Sequence, residues 1–157
     1  MTNLITRTTE LAMHITLQYI NEGDTVIDAT CGTGHDTVTL AKVVGDEGKV
    51  YAFDIQQDAI DLTKKLLDEE GLTNAQLTQD SFTSMGSYVR DGSVAAVIFN
   101  LGYLPGGDHS ITTTANETLE GLRCALQAIR PGGIVTVVMY SGHEEGIREK
   151  QQVLDWA

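Results

Sequence analysis

The chain has 157 residues, about the length of one domain, of which 41% are hydrophobic and 20% are charged. This composition supports a buried core and excludes a disordered or collagen-like chain. Twenty-two acidic residues against ten basic ones give a net charge of −12. Such a charge excludes nucleic-acid binding over the whole surface, so any nucleic-acid site must be a local basic patch.

The first half of the chain alternates between helical and strand patterns. A helix is expected from about Ile5 to Ile20, with Leu11, Ile15 and Tyr19 on one face as the packed side. The elements predicted after it are the strand TVIDAT, the helix HDTVTLAKVVG, the strand KVYAFD, the helix DAIDLTKKLLDEEG and a weaker strand, AQLTQD.

The second half continues the alternation. VAAVIFN is a fully apolar strand, followed by the irregular loop NLGYLPGGD. A helix is predicted from about Thr114 to Arg130, because Thr114 and Glu117 form a capping box before a stripe of leucines and isoleucine. That stripe comprises Leu119, Leu122, Leu126 and Ile129. IVTVVMY is then a strand and EEGIREKQQVLDWA the start of a last helix. The pattern predicts an α/β fold with a mainly parallel, doubly wound sheet.

Two cysteines, Cys31 and Cys124, are too few for a disulfide scaffold and lack metal-ligand spacing, so a reducing, cytoplasmic setting is expected. The N-terminus has no apolar stretch typical of a signal peptide, and the longest apolar runs are far too short to span a membrane. We therefore expect neither secretion nor a membrane partner.

Ligands of such sheets bind beyond the carboxyl ends of the strands, which directs attention to the loops there. The first is DATCGTGHD, which carries Gly32 and Gly34 in a tight turn onto a helix. Twenty residues after Gly34 the second strand ends in Asp54, where a carboxylate can accept both hydroxyls of a ribose. An ordinary turn and a solvated strand end are the alternatives, but the spacing favours a nucleoside site.

Charge and spacing also bear on which nucleoside binds. A dinucleotide fingerprint needs a third glycine, where this chain has Thr37, and Asp28 and Asp36 flank the loop with negative charge. S-adenosylmethionine has no phosphate and carries a sulfonium and an ammonium, so an acidic cradle attracts it. The absence of a Gly-Lys-Ser/Thr triplet excludes a nucleoside-triphosphate P-loop.

The chain resembles the class I S-adenosylmethionine-dependent methyltransferases through VIDATCGTG, YAFD, Asp80, VAAVIFN and IRPGGIVTVV. DATCGTGHDT, NLGYLPGGDH and YSGHEEG are similar to a small bacterial family labelled rRNA methylases. Its characterised members methylate the aminomethyl group of 5-aminomethyl-2-thiouridine at the tRNA wobble position. The resemblance implies a Rossmann-like sheet of order 3-2-1-4-5, with the last two of the usual seven strands absent from this chain. We expect residues 1–157 to form a single domain that is incomplete at its C-terminus, with the fifth strand's edge covered by missing chain or by a partner.

The resemblance also assigns roles around the cofactor. Gly32, Thr33 and Gly34 would let the backbone approach the methionine part, Asp28 would orient that loop, and Thr30 takes the place of the superfamily's first glycine. Asp36 would reach the amino group or, equally, act as a helix N-terminal acid. The remaining assignments follow the second and third strands: Asp54 on the ribose, Ile55 and Gln56 packed on the adenine, and Asp80 and Ser81 either on its amino edge or as a solvated turn pair.

For catalysis the resemblance points to Asn100, whose carbonyl oxygen would accept a hydrogen bond from the target amine, although a polar strand cap is the alternative. Tyr103 would stack on the target base or pack its own loop. His35, His109 and His143 share one edge of the sheet but no ligand spacing, so we predict no metal and keep one of them as a possible proton acceptor. Cys31 is expected to be a small buried residue.

The function expected from this resemblance is N-methylation of a modified wobble uridine in tRNA. Alternatives are an rRNA or small-molecule methyltransferase, a non-catalytic S-adenosylmethionine-binding protein and, last, a nicotinamide oxidoreductase. A tRNA partner requires basic residues near the strand-end loops, and the candidates are Arg7, Arg123, Arg148 and Lys150, each with a solvated surface charge as its alternative. A second subunit, as in a homodimer, could supply further basic residues.

Overall fold

The computed structural model describes residues 4–101, 115–139 and 144–157, with side chains described for 7–101, 116–139 and 150–157. Ten helices and strands, together with a 3₁₀ helix at Phe82–Ser87, make up the fold in these ranges. They are α1 (Leu4–Leu17), β1 (Thr25–Asp28), α2 (His35–Val44), β2 (Lys49–Asp54), α3 (Gln57–Glu69), β3 (Ala75–Gln79), β4 (Val94–Leu101), α4 (Ala115–Ala128), β5 (Ile129–Met139) and α5 (Glu144–Trp156).

The five strands form one parallel sheet of order β3-β2-β1-β4-β5, which confirms the predicted fold class and strand order. The chain runs outward from β1 in both directions, so the strand order reverses between β1 and β4. In open parallel sheets, this reversal is where ligands bind, beyond the carboxyl ends of the strands. The sheet therefore places the loop after Asp28 opposite the end of β4.

Two apolar clusters cover the two faces of the sheet. Successive residues of β1, Val26 and Ile27, belong to different clusters because side chains of a strand alternate between its faces. The cluster around Val26 packs under α1 and α2, and the cluster around Ile27 packs under α4 and α5. Strands buried on both sides explain why β1 and β4 are nearly continuous apolar runs.

The predicted packing face of α1 is wrong. Leu11 is 60% exposed, and Ile15 and Tyr19 are also exposed. The packed side holds Thr16, which is fully buried. Its hydroxyl forms a hydrogen bond with the hydroxyl of Thr136 in β5, at 2.7 Å, so the buried polar group has a partner. Met13, Leu17 and Ile20 pack on the same side. Because this hydrogen bond allows a threonine on the buried face, that face is not marked by apolar residues alone. A prediction from apolar spacing therefore selects the wrong face of α1.

The predicted end of α4 and part of its face are also wrong. The helix ends at Ala128, because Ile129 already pairs with Val94 as the first residue of β5. Leu126 is 51% exposed, whereas Leu122 is buried as expected. Thr114, the predicted cap, lies outside the described residues. Arg130 therefore belongs to a strand, and its guanidinium is available for a contact across the sheet.

The edge of the sheet remote from the strand-end loops is held by polar contacts. The two terminal nitrogens of the Arg130 guanidinium donate to the carboxylate of Asp24, at 2.8 and 3.0 Å. Burial alone would raise the pKa of Asp24, but the hydrogen bonds from Arg130 and from the Asn21 N–H, with the charge of Arg130, outweigh it and lower the pKa. The Asn74 amide donates to the carbonyls of Ala41 and Gly45, at 2.9 and 2.8 Å, and so caps the end of α2.

Two further expectations concern membranes and disulfides. Within the described ranges, no helix is long and apolar enough to cross a membrane. Cys31 and Cys124 are both free thiols.

Candidate active site

The loop after β1 is organised by Asp28, which is fully buried. One carboxylate oxygen accepts the hydroxyl of Thr37 at 2.6 Å, and the other accepts the backbone N–H of Thr30 at 3.2 Å. Burial, reinforced by the negative charges of Asp36 and Asp54, raises the pKa of Asp28 to about 7. Asp28 therefore ties the start of α2 to the start of the loop.

Two glycines of this loop adopt positive φ, but for different reasons. Gly32 has φ +53, and the space where a Cβ would stand is open apart from the Thr30 carbonyl at 3.9 Å. Gly34 has φ +94, and a Cβ there would lie 2.7 Å from the Cα of Thr63 in α3. Gly34 thus lets the loop pack tightly on α3, whereas Gly32 leaves backbone open to a ligand.

Asp54 lies at the end of β2 and faces the same loop. Its carboxylate oxygens accept the backbone N–H groups of Gly32 at 3.1 Å and Gln56 at 3.0 Å. Burial raises the pKa of Asp54 above its ordinary value, against the lowering effect of these hydrogen bonds. Each oxygen has a second lone pair, so the carboxylate can also accept ligand hydroxyls. Ile55 beside it is 45% exposed, which presents an apolar surface at a strand end.

Asp36, in the first turn of α2, lines a small cleft together with Asn100 of β4. Residues of α1, including Thr9 and Met13, form the opposite wall. Burial raises the pKa of Asp36, and the charge of His35 opposes this shift. The cleft therefore brings together one predicted cofactor residue and one predicted catalytic residue.

Asn100 is also linked to the loop after β1. Its backbone N–H donates to the hydroxyl of Thr30 at 2.7 Å, across the point where the strand order reverses. Thr33, between the two glycines, is half-buried. Thr30 and Asn100, seventy residues apart in the chain, are thus in direct contact.

The predicted adenine-edge pair is used differently within the protein. Asp80 is exposed and accepts the N–H of Ser81 at 2.7 Å. The Ser81 hydroxyl accepts the N–H of Thr83 at 3.2 Å and so caps the 3₁₀ helix. These contacts match the turn-pair alternative, although the exposed carboxylate of Asp80 still faces solvent.

Several other predicted residues lie outside the described ranges or on exposed surfaces of the helices. Tyr103, His109 and His143 are outside them, as is the side chain of Arg148. Arg7, Lys150 and Arg123 are exposed, and Arg123 lies 3.8 Å from Glu120 on its own helix.

The thiol of Cys31 is buried, as expected. Burial, with the charges of Asp28 and Asp54, raises its pKa to about 12, so it stays protonated at neutral pH. A protonated thiol is a poor nucleophile, which fits a packing role for Cys31.

Two residues that hold the site together are missing from the sequence prediction. The sequence marks Thr37 only by the absence of a third glycine, yet its buried hydroxyl donates to Asp28. Thr63 donates to the carbonyl of Gly32 at 3.3 Å and packs on Gly34. Thr37 follows Asp28 by nine positions at the helix start, which is a usable signal, but nothing local in the sequence marks Thr63.

The acidic side chains around the loop after β1 fit S-adenosylmethionine rather than a dinucleotide. Carboxylates of Asp28, Asp36 and Asp54 surround the loop, and a cationic ligand relieves their mutual repulsion, whereas a pyrophosphate increases it. Thr37, at the third position of the dinucleotide fingerprint, is fully buried and bonded to Asp28, and the open space at Gly32 leaves backbone accessible to a ligand. Fold and site together define the class of Rossmann-like S-adenosylmethionine-dependent methyltransferases.

Comparison with family models supports that class and narrows it. Residues 50–157 match the family described as "Putative rRNA methylase", and the chain belongs to this family. Residues 2–87, which contain the loop after β1, also match the model of protein-L-isoaspartate(D-aspartate) O-methyltransferase.

Individual relatives cover nearly the whole chain. A curated relative from Arabidopsis thaliana, "tRNA (mnm(5)s(2)U34)-methyltransferase, chloroplastic", is 43% identical over 95% of this chain, which spans 58% of that relative's length. A crystal structure of a "putative rRNA-methylase" from Clostridium thermocellum is 44% identical, with a TM-score of 0.91 over 94% of this chain and 80% of the other. A "putative methyltransferase" from Streptococcus mutans, in complex with SAH, is 34% identical, with a TM-score of 0.85 over 99% and 82%.

Proposed function

We propose that this protein transfers a methyl group from S-adenosylmethionine to the aminomethyl nitrogen of a modified wobble uridine in tRNA. The observation that carries this substrate is the 43% identity, over 95% of the chain, with a relative named as a tRNA (mnm(5)s(2)U34)-methyltransferase. The acidic loop after β1 supports the cofactor part of the proposal, and the cleft beside Asn100 supports the amine part.

In this proposal the cofactor lies along the ends of β1 and β2. The backbone of Gly32, Thr33 and Gly34 lies against its methionine part, and Asp36 accepts its ammonium at the entrance of α2. Asp54 accepts both ribose hydroxyls. Further along the sheet edge, Ile55 and Gln56 pack on the adenine, and Asp80 and Ser81 face its amino edge.

The reaction needs alignment more than covalent catalysis. When bound, S-adenosylmethionine supplies an electrophilic methyl group on sulfur. The target nitrogen must be neutral and must point its lone pair at that methyl group. The amide oxygen of Asn100 accepts an N–H of the amine and so sets its direction, and Tyr103 stacks on the base.

The decisive experiment uses labelled cofactor and two tRNA preparations. Transfer of label to tRNA that carries 5-aminomethyl-2-thiouridine, and none to the same tRNA without the aminomethyl group, is the expected result. Label on both tRNAs, on rRNA or on small amines alone would replace the substrate while keeping the enzyme class. Binding of S-adenosylmethionine without transfer to any acceptor would favour a binding protein.

Two matched variants test the cofactor site. We expect Asp54→Ala to abolish measurable binding of S-adenosylmethionine in calorimetry, since the carboxylate holds both ribose hydroxyls. Asp58→Ala is the control, because Asp58 is an exposed acid four residues further on in the first turn of α3. Equal affinity for the two variants would remove Asp54 from the site.

A third variant tests the amine site. Asn100→Ala is expected to slow methyl transfer with little change in cofactor affinity, because the cradle remains while the alignment is lost. Lost cofactor binding with unchanged single-turnover chemistry would contradict the role of Asn100.

Binding of tRNA must overcome the net charge of −12. We propose that Arg7, Arg123, Arg148 and Lys150 contact phosphates, which an Arg123→Ala, Arg148→Ala double variant tests through a weaker and less salt-dependent affinity. The Lys64→Ala, Lys65→Ala double variant is the matched control, because both lysines face their own helix's carboxylates on α3. Identical salt slopes for the arginine variant and wild type would locate the RNA elsewhere.

The remaining expectations are part of the same proposal. Residues 1–157 form one methyltransferase domain, no metal takes part, a homodimer adds basic surface, and the enzyme works in the cytoplasm. Sedimentation with and without tRNA tests the homodimer, and chelation during the transfer assay tests the metal.

A further inference from the structure

We infer that Thr30 is a positioning residue that sets the orientation of Asn100, rather than a contact for the cofactor. This inference rests on the proposed function, because it assigns how the amine-aligning side chain is held. The position is notable because the superfamily has glycine there, and a glycine cannot make the contact that Thr30 makes.

The first argument is the hydrogen-bond ladder between β1 and β4. Asp28 pairs with Ile98, and the next bond runs from the Ala29 N–H to the Ile98 carbonyl at 2.9 Å. The N–H of Asn100 is the next group on β4 that faces β1, but β1 has already ended. The Thr30 hydroxyl accepts this N–H at 2.7 Å and so extends the ladder by one side-chain bond.

The second argument is that Thr30 is itself fixed. Its backbone N–H donates to Asp28 at 3.2 Å, and Asp28 is fully buried and also bonded to Thr37. A chain of hydrogen bonds therefore runs from the start of α2 through Asp28 and Thr30 to the end of β4. The Thr30 hydroxyl thus connects the loop after β1 to Asn100 itself, one step beyond the bond between Ala29 and Ile98.

The third argument concerns what the bond controls. Asn100 lines the cleft that also contains Asp36. A small rotation of the Asn100 backbone would therefore move its side-chain amide relative to the loop after β1. Methyl transfer depends steeply on the alignment of the two reacting atoms. The bond from the backbone N–H of Asn100 to Thr30 should therefore affect the rate of methyl transfer more than the affinity for the cofactor.

The test compares Thr30→Val, which keeps the shape and removes the acceptor, with Thr30→Ser, which keeps the hydroxyl. We expect Thr30→Val to slow single-turnover methyl transfer by about tenfold to a hundredfold at nearly unchanged cofactor affinity, and Thr30→Ser to restore most of the rate. Thr39→Val is the matched control, because its hydroxyl bonds only within α2, to the His35 carbonyl at 3.1 Å.

A second readout does not depend on activity. Hydrogen exchange of the backbone N–H of Asn100, followed by NMR, should be faster in Thr30→Val than in wild type, Thr30→Ser and Thr39→Val. Unchanged exchange in Thr30→Val, or a parallel loss of cofactor affinity and rate, would overturn the inference. If the wild type methylates no tRNA, the proposed function fails, while the exchange rates still decide whether Thr30 holds Asn100.

Discussion

Replacing Gly34 by alanine should damage the protein in a way that replacing Gly32 does not. Gly34 has φ +94 and ψ −4, and an added Cβ would lie 2.7 Å from the Cα of Thr63. A non-glycine residue in left-handed backbone costs about 1–2 kcal/mol. Forcing an atom into packed structure costs about 1–3 kcal/mol more. The expected loss for Gly34→Ala is therefore roughly 2–5 kcal/mol.

Gly32→Ala is the matched control, since Gly32 also has positive φ but has open space at its Cβ. It should lose only the backbone cost of about 1–2 kcal/mol. For a chain of this size, 1 kcal/mol corresponds to roughly 2–4 °C, so Gly34→Ala should lower Tm by about 4–20 °C. Urea unfolding and calorimetry measure both variants.

The contact also predicts what cannot rescue the variant. The nearest atom is backbone, so adding Thr63→Ala to Gly34→Ala should not restore stability. Equal stability of the Gly34→Ala and Gly32→Ala variants would refute the argument from close packing. Recovery in the double variant would show that the side chain, not the α3 backbone, limits the space.

Three further variants test contacts elsewhere in the fold. Asn74→Ala removes two hydrogen bonds to the terminal carbonyls of α2 and should cost about 1–3 kcal/mol in urea unfolding. Arg130→Met breaks the bidentate pair with Asp24 at a similar cost of about 1–3 kcal/mol. This cost should be complete above pH 3.8, the ordinary pKa of an aspartate, and should shrink as the pH falls from there through the lowered folded pKa of Asp24. Folding raises the pKa of Asp28 from 3.8 to about 7, so its stabilising effect is full below pH 3.8 and is lost as the pH rises toward 7. Asp28→Asn should therefore show a flatter dependence of unfolding free energy on pH between 4 and 7, and an unchanged slope would contradict this raised pKa.

The sequence is most informative where a strand is buried on both faces, because its residues then form a continuous apolar run. β1 and β4 are buried on both faces, so their apolar runs identify them and the glycine loop follows at once. The strand patterns of β1 and β2 place Asp28 and Asp54 at strand ends, and the structure brings both carboxylates to the loop after β1.

Prediction fails where a polar contact decides which side is buried. Thr16 turns α1 away from its expected face through a partner 120 residues away, and no local pattern contains that partner. The end of α4 depends on a strand pairing between Ile129 and Val94. Thr63 and Thr30 hold the site through equally distant contacts, so their roles become visible only in three dimensions.

The buried hydroxyl pair between α1 and β5 also has a kinetic consequence. α1 lies near the start of the chain but packs mainly on β5, the last strand among the described residues, so its docking must wait until most of this sheet has assembled. Contacts of such long sequence separation form late and open early. The amides of α1 should therefore exchange with solvent as one cooperative unit, at a lower free energy than those of β1 and β4. Because α1 walls the cleft beside Asn100, that local opening sets a rate at which the cleft is exposed.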